Sequence, residues 1–162
     1  MHIPHALVRH LLLAALLVLA LAPRAGAADL LKPGATVPAI EAKDQHEQPF
    51  TLGDGVAWLL ISFDMGTGKA ANGYFEKKGA PFLGDHQAVY VANIHGMPGV
   101  GRMFALPKMR KYPHRIVLAD DEHLLDPFPR EDDRVTVIKL GPGRVVQSIA
   151  FWNPRKEEAP LN

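Results

Sequence analysis

The run Trp58-Leu59-Leu60-Ile61-Ser62-Phe63 constrains the fold of this chain more than any other stretch. Bulky apolar residues stand at consecutive positions, broken only by Ser62. An extended strand with this pattern has no side that suits water, so it predicts a strand covered on both faces. Next come Asp64-Met65-Gly66-Thr67-Gly68-Lys69, read as a short polar loop with two glycines, and then a helix over 70–78. A central strand that runs through a tight loop into a helix start is where α/β sheets place their ligands. The candidate site is therefore Asp64, Met65, Gly66, Thr67, Gly68 and Lys69.

The rest of the chain supplies the layers. Residues 37–43 alternate apolar and polar, 44–48 form a turn, and Pro49-Phe50-Thr51-Leu52 returns, which predicts an edge hairpin where proline is tolerated. Residues 88–94 and 115–119 read as further strands, and 79–85 as a loop. Apolar positions 100, 103, 104, 106 and 109 predict a helix over 100–110 with its stripe in the core, kinked or restarted at Pro107. Residues 134–140 and 144–152 flank Gly141-Pro142-Gly143 as a terminal hairpin.

At the N-terminus, a basic head is followed by the Leu/Ala/Val run 11–21 and small residues through Ala27. That predicts a secretory signal peptide over 1–27, cleaved after Ala27 or Ala28, and a periplasmic or secreted product. The apolar run is shorter than the ~20 residues that span a bilayer, so the membrane is met only through the signal. Residues 28–34 read as a flexible lead-in, 35–152 as the domain, and 153–162 as a polar tail. Loss of Arg9 and Arg24 with the signal takes the formal charge from +1 to about −1, which leaves no basic stripe for nucleic acid. There is no cysteine. Neither disulfides, thiol redox chemistry nor thiolate-zinc sites are open to this chain.

The order hairpin-β-α-β-α-β-hairpin, with Asp44 and Leu52 placed in Ala39–Leu52 as in an F-x-L-x-D-x-x-G-x-x-x-x-L pattern, resembles the thioredoxin superfamily, in its exported peroxiredoxin-like and TlpA-like branch. The resemblance implies an α/β, three-layer fold: a mixed central sheet with helices on the faces, an N-terminal hairpin, and a short or missing C-terminal helix. Counting on from Phe63, it puts the family's Cys-x-x-Cys near Gly68-Lys69-Ala70-Ala71, where no thiol stands. The family's cis-proline position falls at Asp133-Arg134. The chain also looks like small cysteine-free periplasmic thioredoxin-like proteins, whose loop carries Gly, Thr or Ser, and Lys in a similar order. The resemblance thus implies the fold without the redox activity.

Two readings of the loop remain. In one, the N–H groups of Gly66, Thr67 and Gly68 hold a small anion at a helix start, with Lys69 as counter-charge. In the other, Thr67 caps the helix while Lys69 pairs with Asp64 or reaches solvent. A P-loop is excluded by Phe63 and Ala70. Gly99-Val100-Gly101-Arg102-Met103-Phe104 with Asp120 outlines a dinucleotide fingerprint, but Phe104 replaces the glycine that lets helix and strand pack closely. His95 and Met97, with Met65, Met103 and Met109, are the candidate soft ligands for copper. His46, His86, His114 and His123 read as surface residues, and Asp120-Asp121-Glu122 as a solvated turn. Ser62 lies within a strand rather than on a nucleophile elbow. Val145, Val146, Ile149, Phe151 and Trp152 form a candidate apolar patch for a protein partner or a homodimer. The first expectation is a non-catalytic binding domain with no cofactor. The alternative is a carrier of flavin or copper that assists an oxidoreductase.

Overall fold

The computed structural model describes residues 29–162, so the expected signal peptide lies outside the described residues. The chain forms β1 (Glu41–Asp44), β2 (Pro49–Thr51), β3 (Trp58–Ser62), α1 (Met65–Lys78), α2 (Phe82–Asp85), β4 (Ala88–Asn93), α3 (Gly99–Met109), β5 (Val117–Ala119), β6 (Val135–Gly141) and β7 (Val145–Trp152). The strands make one sheet in the order β2-β1-β5-β4-β3-β6-β7. β3, β4 and β5 are parallel neighbours, and the other pairings are antiparallel. This is the mixed α/β sheet that the element order predicts. Residues 79–85 differ from expectation, since they hold the short α2.

Leu59, Leu60 and Ile61 are fully buried, so β3 is covered on both faces, by two different means. The links from β3 to β4 and from β4 to β5 step the same way across the sheet. Right-handed crossovers therefore place α1 and α3 on one face. There Leu60, Ala71, Phe75, Tyr90, Ile116 and Trp152 pack together. On the opposite face Leu59, Ile61, Val91 and Ile138 meet no helix residue among the described residues. Val37 and Ile40 from the lead-in, and Leu125 and Phe128 from the irregular segment after β5, cover them.

The lead-in acts as a strap. Gly34 and Val37 donate their N–H groups to the carbonyls of Val146 and Arg144, and Thr36 bridges Val145 at the β7 edge. The chain then passes over the sheet, buries Val37 and Ile40, and enters β1 on the far side. Residues 28–34, expected to be a flexible lead-in, thus include anchored positions: Leu31 also donates to the Pro127 carbonyl.

Residues 153–162, expected to be a polar tail, pack back on α1. Leu161 is buried, Trp152 Nε1 donates to the Glu157 carbonyl, and Tyr74 OH donates to Glu158 at 2.6 Å. This segment lies where the resemblance implies a short or missing C-terminal helix. The expected apolar patch on the terminal hairpin is largely closed. Val146 and Trp152 are buried, and Val145, Ile149 and Phe151 are half-buried.

The β1–β2 hairpin is fastened to β5 through a buried carboxylate. Asp44 accepts from the backbone N–H groups of His46 and Gln48 and from Arg115 Nε at 2.9 Å. Burial pushes this carboxyl up, but the Gln48 and His46 amides and the Arg115 guanidinium outweigh it and hold it below the usual range. Asp44→Ala removes one acceptor from three donors and should destabilise the domain by about 2 kcal/mol in denaturant titrations at pH 7. Because the folded carboxyl sits low, its contribution is complete above the pKa of an unfolded aspartate and is lost as pH falls through the folded value. The gap between wild type and variant should narrow along that acid limb.

Candidate functional site

Asp64 decides how the site begins. Its backbone is extended (φ −130°, ψ 161°), its side chain accepts from the Thr67 N–H at 2.8 Å, and its carbonyl accepts from the Gly68 N–H at 2.9 Å. It is the N-cap of α1. The helix therefore starts at Met65 rather than at 70, and the candidate residues are a cap and the first five residues of a helix, not a loop. Thr67, the expected capping group, is instead buried inside the turn, and Asp64 caps the helix. Burial pushes the Asp64 carboxyl up; hydrogen bonds from Thr67 and Gly66, with Arg155 nearby, more than offset this and hold it low. The three amides considered as an anion cradle are thus turned toward Asp64. Arg155 from the C-terminal segment donates to the Gly66 carbonyl at 2.9 Å. Lys69 is exposed, and no ion pair with Asp64 forms among the described residues.

Four of the six candidates, Asp64, Met65, Gly68 and Lys69, line a cleft of about 320 Å³ between α1 and α3. Gly66 and Thr67 do not line it. Met65, Met97, Phe104 and Met109 give it apolar walls, and Lys69 and Lys108 are its two cationic lining residues. Two buried polar pairs lie at its base. Ser62 Oγ meets Tyr90 OH at 2.8 Å, and His114 Nε2 meets Asn72 Oδ1 at 2.9 Å.

α3 departs most from expectation. None of its residues is buried, and Val100, Met103 and Phe104 are 68%, 68% and 73% exposed. Val100, Met103 and Phe104 of the stripe predicted to face the core instead face the cleft mouth or solvent, while Met109 at its end packs against the core. Arg102 holds the helix in place. It donates to the carbonyls of Met97 and Ile94 and forms a two-pronged ion pair with Asp120. That pair uses the carboxylate on which the dinucleotide outline depended. The periodicity over 100–109 was misleading because the helix has hardly any polar face of its own to set against an apolar one.

The position counted from Phe63 for the family's thiols is occupied. A Cβ added at Gly68 would lie 3.2 Å from Ser62 Oγ and 3.5 Å from Tyr90 OH, and Ala71 is fully buried. His114, expected at the surface, is buried against Phe75 and Tyr112. Burial pulls its imidazole down to about 4. No local signal marks it, since exposed Arg115 separates it from the buried run that begins at Ile116. His95 and Met97 are not brought together. Met97 lines the cleft, whereas His95 lines a separate cavity with Glu122 and Asp126 and places Nδ1 3.1 Å from the Asp120 carbonyl. Among the described residues no three His, Asp or Glu side chains converge as a metal site.

No family model matches the chain, and no curated protein matches it by sequence. Solved structures do match it in three dimensions. The thioredoxin domain of a thiol-disulfide oxidoreductase from Bacteroides vulgatus superposes with a TM-score of 0.52 at 14% identity, over 76% of this chain and 92% of that one. Peroxidoxin BcpB from Mycobacterium tuberculosis superposes at 0.52 and 16% identity, over 76% and 89%. A peroxiredoxin-like protein from Aquifex aeolicus gives 0.52 and 11%, over 78% and 80%. The fold is thioredoxin-like, carried by a chain without cysteine.

Two measurements test this geometry. Gly68→Ala should destabilise the protein by about 1 kcal/mol, although alanine is the better helix former by about that amount, because Ser62 Oγ has to move. In a Ser62→Ala background the same change should become neutral or stabilising in denaturant titrations. His114 is neutral when folded and more basic when unfolded. Its contribution is therefore intact above the unfolded pKa near 6.5 and is lost as pH falls toward about 4. Between those limits wild type should lose about 2 kcal/mol, after allowance for solvent screening, and His114→Asn should lose measurably less.

Proposed function

We propose that this thioredoxin-like chain is an exported, non-catalytic binding domain that takes a protein partner or small ligand in the cleft beside the α1 N-terminus. The observation that carries the reading is the contrast between the two sides of Gly68. The face toward the sheet, where a thiol side chain would need room, is filled by the Ser62 and Tyr90 hydroxyls. The face toward α3 opens into an apolar cleft bordered by Met65 and Phe104, both mostly exposed. The fold's usual place for chemistry is thus furnished for contact and lacks a group that forms or breaks bonds. Such clefts, apolar with a few convergent polar groups, are the usual form of small-ligand sites. Export is supported by the sequence at 1–27 alone. The copper reading loses support because His95 and Met97 serve different cavities.

Amide shifts in solution NMR, with indole as a neutral apolar probe, test the site. Shifts should cluster at Met65, Lys69, Ala92 and Phe104. Shifts confined to residues outside the cleft, or none at millimolar probe, overturn the reading. The same preparation checks export, since the mature chain should begin at Ala28 or Asp29 and not at Met1.

A further inference from the structure

We infer that the ligand is an amphipathic monoanion, an alkyl or aryl body ending in a carboxylate, with its body between Met65, Met97, Phe104 and Met109 and its head at Lys69 and Lys108. This rests on the reading of the cleft as a binding site and goes further by naming the chemistry it selects.

Three observations converge on that class. The first is size. At about 320 Å³ the cleft is at the lower end of the roughly 300–1,000 Å³ typical of small-molecule sites, which suits one compact ligand better than a folded partner. The second is the lining. Three of the named wall side chains are thioethers, which are flexible and polarisable and adapt to irregular apolar bodies. At the base Ser62 and Tyr90 satisfy one another, and Asn72 Oδ1 meets His114 Nε2 while His114 Nδ1 is buried without a partner; neither pair carries a cation, so the deep end offers no counter-charge to an anionic head.

The third is charge. Lys69 and Lys108 are both exposed, and neither has an ion-pair partner among the described residues. Lys69 is the fifth residue of α1, just past its first turn, and its side chain reaches the cleft edge. Asp64, the only acidic lining residue, is committed to the helix amides and sits beside Arg155. Asp120, the acid that ends β5 near α3, is committed to Arg102. A carboxylate from outside would supply the missing counter-charge for both lysines while its body supplies the apolar contact that α3 lacks. Closure of α3 on the ligand would bury Phe104, which the free protein leaves 73% exposed.

The test compares decanoate with decanol, two probes of equal chain length that differ in head-group charge, on the full mature protein and below the micellar range. Calorimetry should show one decanoate bound per chain, with a higher melting temperature that scales with ligand concentration. Decanol should bind more weakly. Lys69→Gln combined with Lys108→Gln should weaken decanoate by about tenfold or more and leave decanol unchanged. Phe104→Asp, at an exposed position where folding is not threatened, should abolish both. Equal affinity for the two probes, or indifference of decanoate to the double glutamine variant, overturns the inference. If indole shifts the cleft residues while decanoate fails to bind, the inference falls and the binding-domain reading stands. If neither probe binds, both fall.

Discussion

β3 has to be covered twice, and this requirement organises the molecule. Leu60 faces the side carrying α1, while Leu59 and Ile61 face the other. No disulfide can hold a covering layer in place, because the chain has no cysteine. One face receives helices through right-handed crossovers. The other receives a strap of lead-in and an irregular segment, fixed by backbone hydrogen bonds to the β7 edge and to Pro127. The two solutions have different consequences. The strap closes its face over Val37 and Ile40, whereas the helical face is only half closed. α1 buries Ala71 and Phe75, whereas α3 has no fully buried residue and meets the core through half-buried Met109. The cleft is the space left between a well-seated helix and a lightly tethered one.

The base of that cleft is held by hydrogen bonds between buried neutral side chains. Ser62 is the single polar residue in the central strand run, and its hydroxyl needs a partner at full burial. Tyr90 on the neighbouring parallel strand provides it, and burial with little compensation pushes the phenol far above its ordinary value, so it stays neutral. The pair lies against Gly68, where a side chain would crowd it. Asn72 and His114 form a second neutral pair one turn further along α1. The two pairs under the site are therefore uncharged, with His114 Nδ1 left without a partner, and the positive charge around the cleft stands at its exposed edge on Lys69 and Lys108.

The sequence carried the central architecture because it depends on patterns of two and three to four residues that burial enforces. The β3 run at 58–63, the strands expected over 88–94 and 115–119 and the terminal hairpin expected over 134–140 and 144–152 all appear, with ends shifted by at most two residues. What was not legible depends on partners distant in the chain. Asp64 and Thr67 are both capping residues by type, and only three-dimensional placement decides between them. The α3 stripe has helical spacing, but spacing does not say whether a neighbouring element comes close enough to bury it. His114 looks polar on its own; its burial follows from Asn72, 42 residues earlier. The strap was missed because it pairs residues 34–37 with 144–146, a contact that no local pattern encodes.

That strap joins nearly the first described residues to nearly the last strand, and this sets an order of events for the newborn chain. A polypeptide delivered N-terminus first, by a ribosome or through a translocation channel, presents Thr36 long before Val145 exists to receive it. Until β7 emerges, Leu59 and Ile61 lack one of their covers, and β3 lacks its β6 neighbour. Contacts of such long sequence separation are costly to close early. The strap can therefore be fastened only after the terminal hairpin has been made, so the cover of one whole face waits on the strand farthest from it in sequence.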